Sequence, residues 1–299
     1  MVYDTLCLSS GGIYGIAFIG ALDYLIEEKI LDLNSIKIYV GTSVGAFILF
    51  LIMLGNTIKD INRIIININF NKLNTNVQID NILENFGINN GEKTMFIIKY
   101  CLKKKLKVDD ITFNELYTKY NKKFTVIGTN FSKGVEEVFN HQNTPDMSVI
   151  TAIRISISIP LIFMPVLYNN QYYVDGALTN MFPINHCNQE TTIAINISYP
   201  DNFNINNIFD VLLNSIQIVS KTISCKNKCI IYDNIININP KNNYENDSFF
   251  DLNITLEMKI NLINIGREIT MKHVNNCKLH IKIICSSILN EIIDEIINH

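Results

Sequence analysis

Three short stretches hold residues able to do chemistry together. The first is Gly41-Thr42-Ser43-Val44-Gly45, a G-x-S-x-G pattern. A serine hydroxyl is a weak nucleophile unless a tight turn presents it in open space beside a base. Glycines two residues to either side remove the side chains that would crowd such a turn. A helix starting there aims its N-terminal N–H groups at the place where an oxyanion develops. The same five residues also suit a plain small-residue turn that packs a helix on a strand. The second stretch is Ser9-Ser10-Gly11-Gly12-Ile13-Tyr14-Gly15. Consecutive glycines leave backbone N–H groups available to an anion. A phosphate loop is excluded by pattern, because neither G-x-x-x-x-G-K-[ST] nor G-x-G-x-x-G is present. The third is Val174-Asp175-Gly176-Ala177. An aspartate before glycine is commonly a turn residue; closing a short apolar strand, it also suits a side chain at the same end of the sheet as Ser43.

These residues need elements to position them. Residues 5–10 are a short apolar segment ending in small polar residues, a buried strand followed by the glycine turn. Residues 16–31 space apolar side chains as an amphipathic helix, with acids on the other face. Residues 36–43 read as a second strand and 44–54 as a nearly all-apolar buried helix. Strand, helix, strand, helix predicts a parallel sheet covered on both faces. Downstream, 56–120 is helical with polar interruptions and a turn at Asn89-Asn90-Gly91. Residues 123–140 predict a hairpin about Lys133-Gly134. A helix over 147–160 stops at Pro160, and 171–184 reads as a strand, a turn at Asp175-Gly176 and a loop. Further strands are expected at 191–198 and 229–239. Residues 260–299 predict two helices, the last amphipathic. The asparagine-rich patches at 202–207 and 241–247 read as surface loops.

The chain has 299 residues, enough for one large domain or two modest ones with a sizeable core. At 48% hydrophobic and 18% charged residues it is not a disordered composition. A net charge of -3 gives no nucleic-acid footprint. The basic run Lys103-Lys104-Lys105-Leu106-Lys107 reads as a solvated helix face, with an anionic membrane surface as the alternative. Seven cysteines in no regular spacing, and an N-terminus without the basic and apolar regions of a secretory signal, predict reduced thiols and an intracellular protein. Cys225 and Cys229 lack a second Cys/His pair nearby, so no metal site is expected. No run of about 18 apolar residues is present, and Ala46–Leu54 is too short to span a membrane.

As a set, the three motifs resemble those of the patatin-like phospholipases. "LCLSSGGIYGIAFIGAL" is similar to that family's first strand, oxyanion turn and helix. "AIRISISIPLIFMPV", residues 152–166, resembles the serine-rich segment before its aspartate. "YYVDGALTNMFPI" resembles the block around that aspartate, including Asn180 and Pro183. The resemblance covers about residues 5–200. It implies an α/β three-layer sandwich, with a mostly parallel central sheet between helices and the nucleophile on a strand-to-helix elbow. It also implies a Ser43–Asp175 dyad without histidine. Ser43 would attack a glycerolipid ester, Asp175 would take its proton and later activate water, and the amides of Gly11, Gly12 and Ile13 would hold the oxyanion. Ser10, Gly15, Gly41, Gly45, Gly176 and Ala177 support the motifs. Losing one oxyanion donor typically lowers the rate about a hundredfold or more. Two positions depart from the family pattern. Ser10 takes a glycine position, its N–H remaining available if the turn tolerates a Cβ, and Tyr14 takes a basic one.

The implied function is a phospholipase A type lipid acyl hydrolase acting through an acyl-enzyme, with no cofactor and no metal. Its partners would be a phospholipid or other glycerolipid and, transiently, a membrane surface. It would be cytoplasmic or membrane-peripheral. Residues 5–199 would form the catalytic domain, and 200–299 a strand and helical extension packed on it. The region Asn56 to Tyr120 is a candidate membrane contact, although an internal cap on the core fits it better. Two rivals are a Ser-Asp-His esterase using His186, His273 or His280, and a catalytically silent lipid-binding protein motivated by Ser10 and Tyr14.

Overall fold

The computed structural model describes residues 3–69, 86–198, 205, 208–226, 233–240 and 254–297. The elements are the strands β1 Thr5–Leu8, β2 Ile38–Thr42, β3 Gly87–Asn89, β4 Lys123–Asn130, β5 Val135–Phe139, β6 Leu161–Phe163, β7 Val166–Tyr168, β8 Gln171–Asp175, β9 Thr192–Ile197 and β10 Ile235–Ile238. The helices are α1 Ala17–Glu27, α2 Val44–Met53, α3 Ile58–Asn67, α4 Glu92–Leu106, α5 Phe113–Tyr120, α6 Val149–Ser156, α7 Ile208–Lys226 and α8 Leu256–Ile297. A short 3-10 turn over Gly12–Ile16 leads into α1.

The main sheet has the order β10-β9-β1-β2-β4-β8-β7, with β5 also pairing with β4. The strands from β10 to β4 run parallel. β5, β8 and β7 add antiparallel pairings. The chain leaves β1 toward β2 and later returns to its other side as β9, so the loop after β1 lies where the strand order reverses. In such sheets that crevice, at the carboxyl ends of the strands, is where ligands bind. β1 and β9 are buried along their whole length, as strands covered on both faces must be. The nearly all-apolar α2 buries nine of its ten residues, a helix apolar all round because it lies inside. The fold is mixed α/β, a central sheet flanked by helices. The expected hairpin is β4–β5, and the strand expected at 229–239 is β10; residues 229–232 lie outside the described residues, as do most of the two asparagine-rich patches. Lys103, Lys104 and Lys105 are exposed at the end of α4, and Lys103 reaches Asp109 at 2.7 Å.

The C-terminal region departs from expectation in one respect. Residues 256–297 form one continuous helix, not two. No proline interrupts it, and its internal glycine serves a helix crossing instead of a break. A Cβ on Gly266 would lie 2.0 Å from the Ala17 carbonyl oxygen, and one on Gly20 would lie 1.8 Å from that of Ile263. α1 and α8 therefore touch backbone to backbone. Beside this crossing Arg267 bonds to Asp23 at 3.0 Å and to Glu27, and lies over the Tyr24 ring. Lys259 of α8 donates to the carbonyls of Ile65, Ile66 and Ile68, the open end of α3. Alanine is favoured over glycine in a helix interior by about 1 kcal/mol, so Gly266→Ala tests which effect wins. The clash with backbone is expected to prevail, as overpacking typically does by about 1–3 kcal/mol, and thermal melts should show a Tm lower by several degrees.

Candidate active site

Ser43 stands between β2 and α2 with φ 55° and ψ -126°. A non-glycine residue held at positive φ stores on the order of 1–3 kcal/mol of strain, and the surroundings enforce it. A Cβ on Gly41 would lie 2.7 Å from the Ala46 amide nitrogen, and one on Gly45 would lie 2.3 Å from the Ser9 carbonyl. The two glycines let α2 fold back against β2 and against the loop after β1. The Ser43 N–H donates to Ser156 Oγ at 2.7 Å, and that hydroxyl donates to the Ile127 carbonyl at 2.5 Å. The elbow is thereby tied to α6 and β4.

Register brings Asp175 level with Ser43. Thr42 pairs with Ile127 on one side of β4, and Gly128 pairs with Asp175 on the other. Gly176 lies against the Ile127 carbonyl, where a Cβ would approach to 2.3 Å. Ser43 Oγ donates to Asp175 Oδ2 at 2.7 Å, and the Ala177 N–H donates to Oδ1 at 2.8 Å. The Asp175 backbone is held by its N–H to the Ser158 carbonyl and by Thr129 Oγ1 to its own carbonyl, both at 2.8 Å. Only 2% of Asp175 is exposed. Burial pushes its carboxyl up to about 7, against the opposing hydrogen bonds from Ala177 and Ser43. A carboxylate so raised is a base matched to neutral pH.

The glycine turn lies across from the dyad. Ser10 and Gly12 line the small hollow over Ser43 and Asp175. The expectation for Ser10 needs correction: its N–H donates to the Met181 carbonyl at 2.7 Å, so it is committed to holding the turn. Gly12 and Ile13 open the 3-10 turn, where the first N–H groups have no partner within the helix. Gly11 is the residue before that turn, and Gly15 packs on Val44. Tyr14 is buried in the main hydrophobic core instead of lining the hollow. Of the histidines, His186 Nε2 meets Glu136 at 2.5 Å and His273 Nε2 meets the Asp233 carbonyl at 2.8 Å. The His280 side chain and the Cys225–Cys229 pair lie outside the description. Among the described residues no cluster of His, Cys, Asp or Glu is placed to hold a metal ion, and no helix is long and apolar enough to cross a membrane.

Arg154, Ser156 and Ser158 lie in the serine-rich segment 152–166, to which the sequence alone assigned no individual roles. Arg154 is buried among acceptors, donating to Ser158 Oγ, to the Asn90 carbonyl at 2.9 Å and to the Met164 carbonyl at 3.0 Å. Burial brings its guanidinium down to about 10. Through Ser158 it supports the strand end that carries Asp175. The available signal was the pair of serines after the arginine in "RISISIP".

A strained serine on a strand-to-helix elbow, bonded to a buried aspartate across one strand, defines a hydrolase-like α/β site. The patatin-like phospholipase family model matches residues 6–187, and the chain belongs to that family. It is 34% identical over 187 residues to a probable lipid hydrolase of Invertebrate iridescent virus 6, covering 61% of this chain and 62% of that protein. It is 31% identical over 196 residues to an uncharacterized protein of Acanthamoeba polyphaga mimivirus, covering 65% and 64%. The chain thus aligns with less than two thirds of the length of these relatives. Among solved structures it is similar to VipD from Legionella pneumophila, at TM-score 0.62 and 18% identity over 92% of this chain and 67% of that one. It is also similar to the type III effector ExoU of Pseudomonas aeruginosa, at TM-score 0.56 and 16% identity over 92% and 53%. At these identities the likeness concerns the fold.

Proposed function

We propose that the protein is a lipid acyl hydrolase of phospholipase A type, cleaving fatty-acyl esters of glycerolipids through Ser43 and Asp175. The observation that carries this is the 2.7 Å hydrogen bond from Ser43 Oγ to a carboxylate raised to about 7 by burial. In the first half-reaction Ser43 Oγ attacks the ester carbonyl while its proton passes to Asp175 Oδ2. Collapse of the tetrahedral intermediate releases the glycerol oxygen, which takes that proton, and leaves the acyl chain on Ser43. Water then attacks the acyl-enzyme, giving its proton to Asp175, which returns it to Ser43 as the fatty acid leaves. The amides at the start of the Gly12–Ile16 turn, with Gly11 before it, are the candidate oxyanion donors. Family membership and the named viral lipid hydrolase support a lipid ester as substrate. The test is mass spectrometry of a mixed lipid extract incubated with wild type and with Ser43→Ala. Free fatty acid and lysolipid are expected with wild type alone. Equal release by both proteins would sink the proposal.

A further inference from the structure

The hollow over the dyad measures about 20 Å³, room for roughly one water, whereas an organic ligand needs some 300 Å³ or more. Its roof is α7, through Ile216, Gln217 and Ser220. α7 is amphipathic the wrong way round for a helix resting on a protein. At 100° per residue, Ile218, Val211, Ile208, Val219 and Leu212 share an arc of about 120°, and all five are exposed, Ile208 by 65% and Val219 by 57%. The opposite arc carries Gln217 and Ser220, 3% and 2% exposed, with Asp210, Asn214 and Leu213 half-buried beside them. The polar side covers the site and the apolar side meets water. Ser215 and Thr222 also fall on the outer stripe, and their hydroxyls donate to the Val211 and Ile218 carbonyls of the helix itself at 2.7 and 2.8 Å. Neither brings an unmet donor into an apolar medium.

From this geometry we infer that the outer face of α7 is a lipid-surface docking element, and that its insertion into a bilayer uncovers Ser43. The inference rests on the lipid-hydrolase reading for its choice of partner. Five exposed apolar side chains on one stripe, continuous with the roof of a site for lipid esters, match a helix that lies in the interface plane. In water the closed position hides Gln217 and Ser220 over the dyad and leaves the stripe exposed. A bilayer rewards burial of the stripe in one position only, and such a differential interaction is what shifts a two-state equilibrium.

The chain contains no tryptophan, so Val219→Trp introduces a single indole on the stripe. In a Ser43→Ala background, vesicles of dioleoylphosphatidylcholine are expected to shift its emission to shorter wavelength, and brominated lipid to quench it. Leu212→Gln/Val219→Gln in the same background should co-sediment with these vesicles about tenfold more weakly or worse. With Ser43 present, the double variant should react with a fluorophosphonate in lipid-free buffer as wild type does, yet lose the acceleration that vesicles confer on wild type. Unshifted emission, equal co-sedimentation, or vesicle acceleration retained in the double variant each overturns the assignment, and would leave a protein partner or a second copy as the occupant of the stripe. Vesicle binding is read without hydrolysis. An inserting indole in a protein that releases no fatty acid therefore refutes the hydrolase reading and not the docking face, and hydrolysis without insertion does the reverse.

Discussion

Hydrolysis of a soluble ester is expected to rise with pH along a limb centred near 7, and to fall at least about a thousandfold in both Ser43→Ala and Asp175→Asn. On the proposed dyad the limb reports Asp175, whose carboxyl burial pushes up to about 7. Below that pH the group is protonated and cannot accept the Ser43 proton; above it the base form dominates. Histidine titrates in the same range, about 6.5, so the pH profile by itself does not separate a dyad from a triad. Substitution does. Asp175 spends Oδ2 on Ser43 and Oδ1 on the Ala177 amide, while His186 and His273 are held by Glu136 and the Asp233 carbonyl. Removing His186, His273 and His280 together should leave the limb and most of kcat/KM in place. A hydrolase silenced by loss of those histidines, or an Asp175→Asn protein that keeps its rate, would remove the dyad.

Much of this site was legible because its parts are local. G-x-S-x-G flanked by a β-branched strand and an apolar run states an elbow within a dozen residues, since the close approach of Gly41 to Ala46 and of Gly45 to Ser9 permits no side chain there. Asp175 was legible as a residue ending a strand beside glycine. That it reaches Ser43 depends on β8 running antiparallel to β4 at a register no local pattern declares. Ser10 shows the limit within a motif: the turn is recognisable, but the commitment of its N–H to Met181 depends on a residue 171 positions away. The roof was not legible at all. No helix was expected over 208–226, and periodicity alone would not say which face of α7 turns inward. Only placement over the dyad shows that the polar one does. The two helices expected over 260–299 are one, α8: no proline interrupts it, and its one glycine, Gly266, admits α1 instead of ending the helix.

Asp175, the base of the proposed reaction, is also expected to weaken the fold, so Asp175→Asn should stabilise the protein above about pH 7. The carboxyl titrates at about 7 when folded and near 3.8 when exposed. Its folded value is raised, so between these limits the native state binds a proton that the unfolded chain has released, and stability falls as pH rises. The loss is complete once pH passes about 7 and is absent below about 4. A shift of roughly three units corresponds to at most about 4 kcal/mol. Asparagine is never ionised and escapes this term, but its amide N–H turns one acceptor position into a donor, at a cost of about 1–2 kcal/mol. The net gain should be about 2 kcal/mol at pH 8, shrinking and then reversing by about pH 5. Denaturant titrations of both proteins at the two pH values measure it. A gain independent of pH would assign the effect to packing, and a loss at pH 8 would mean that the amide costs more than ionising the buried carboxyl does. Together with the rate, the outcome is diagnostic: a substitution that removes activity while raising stability only where the carboxylate is charged marks a group held in place for reaction against its own solvation.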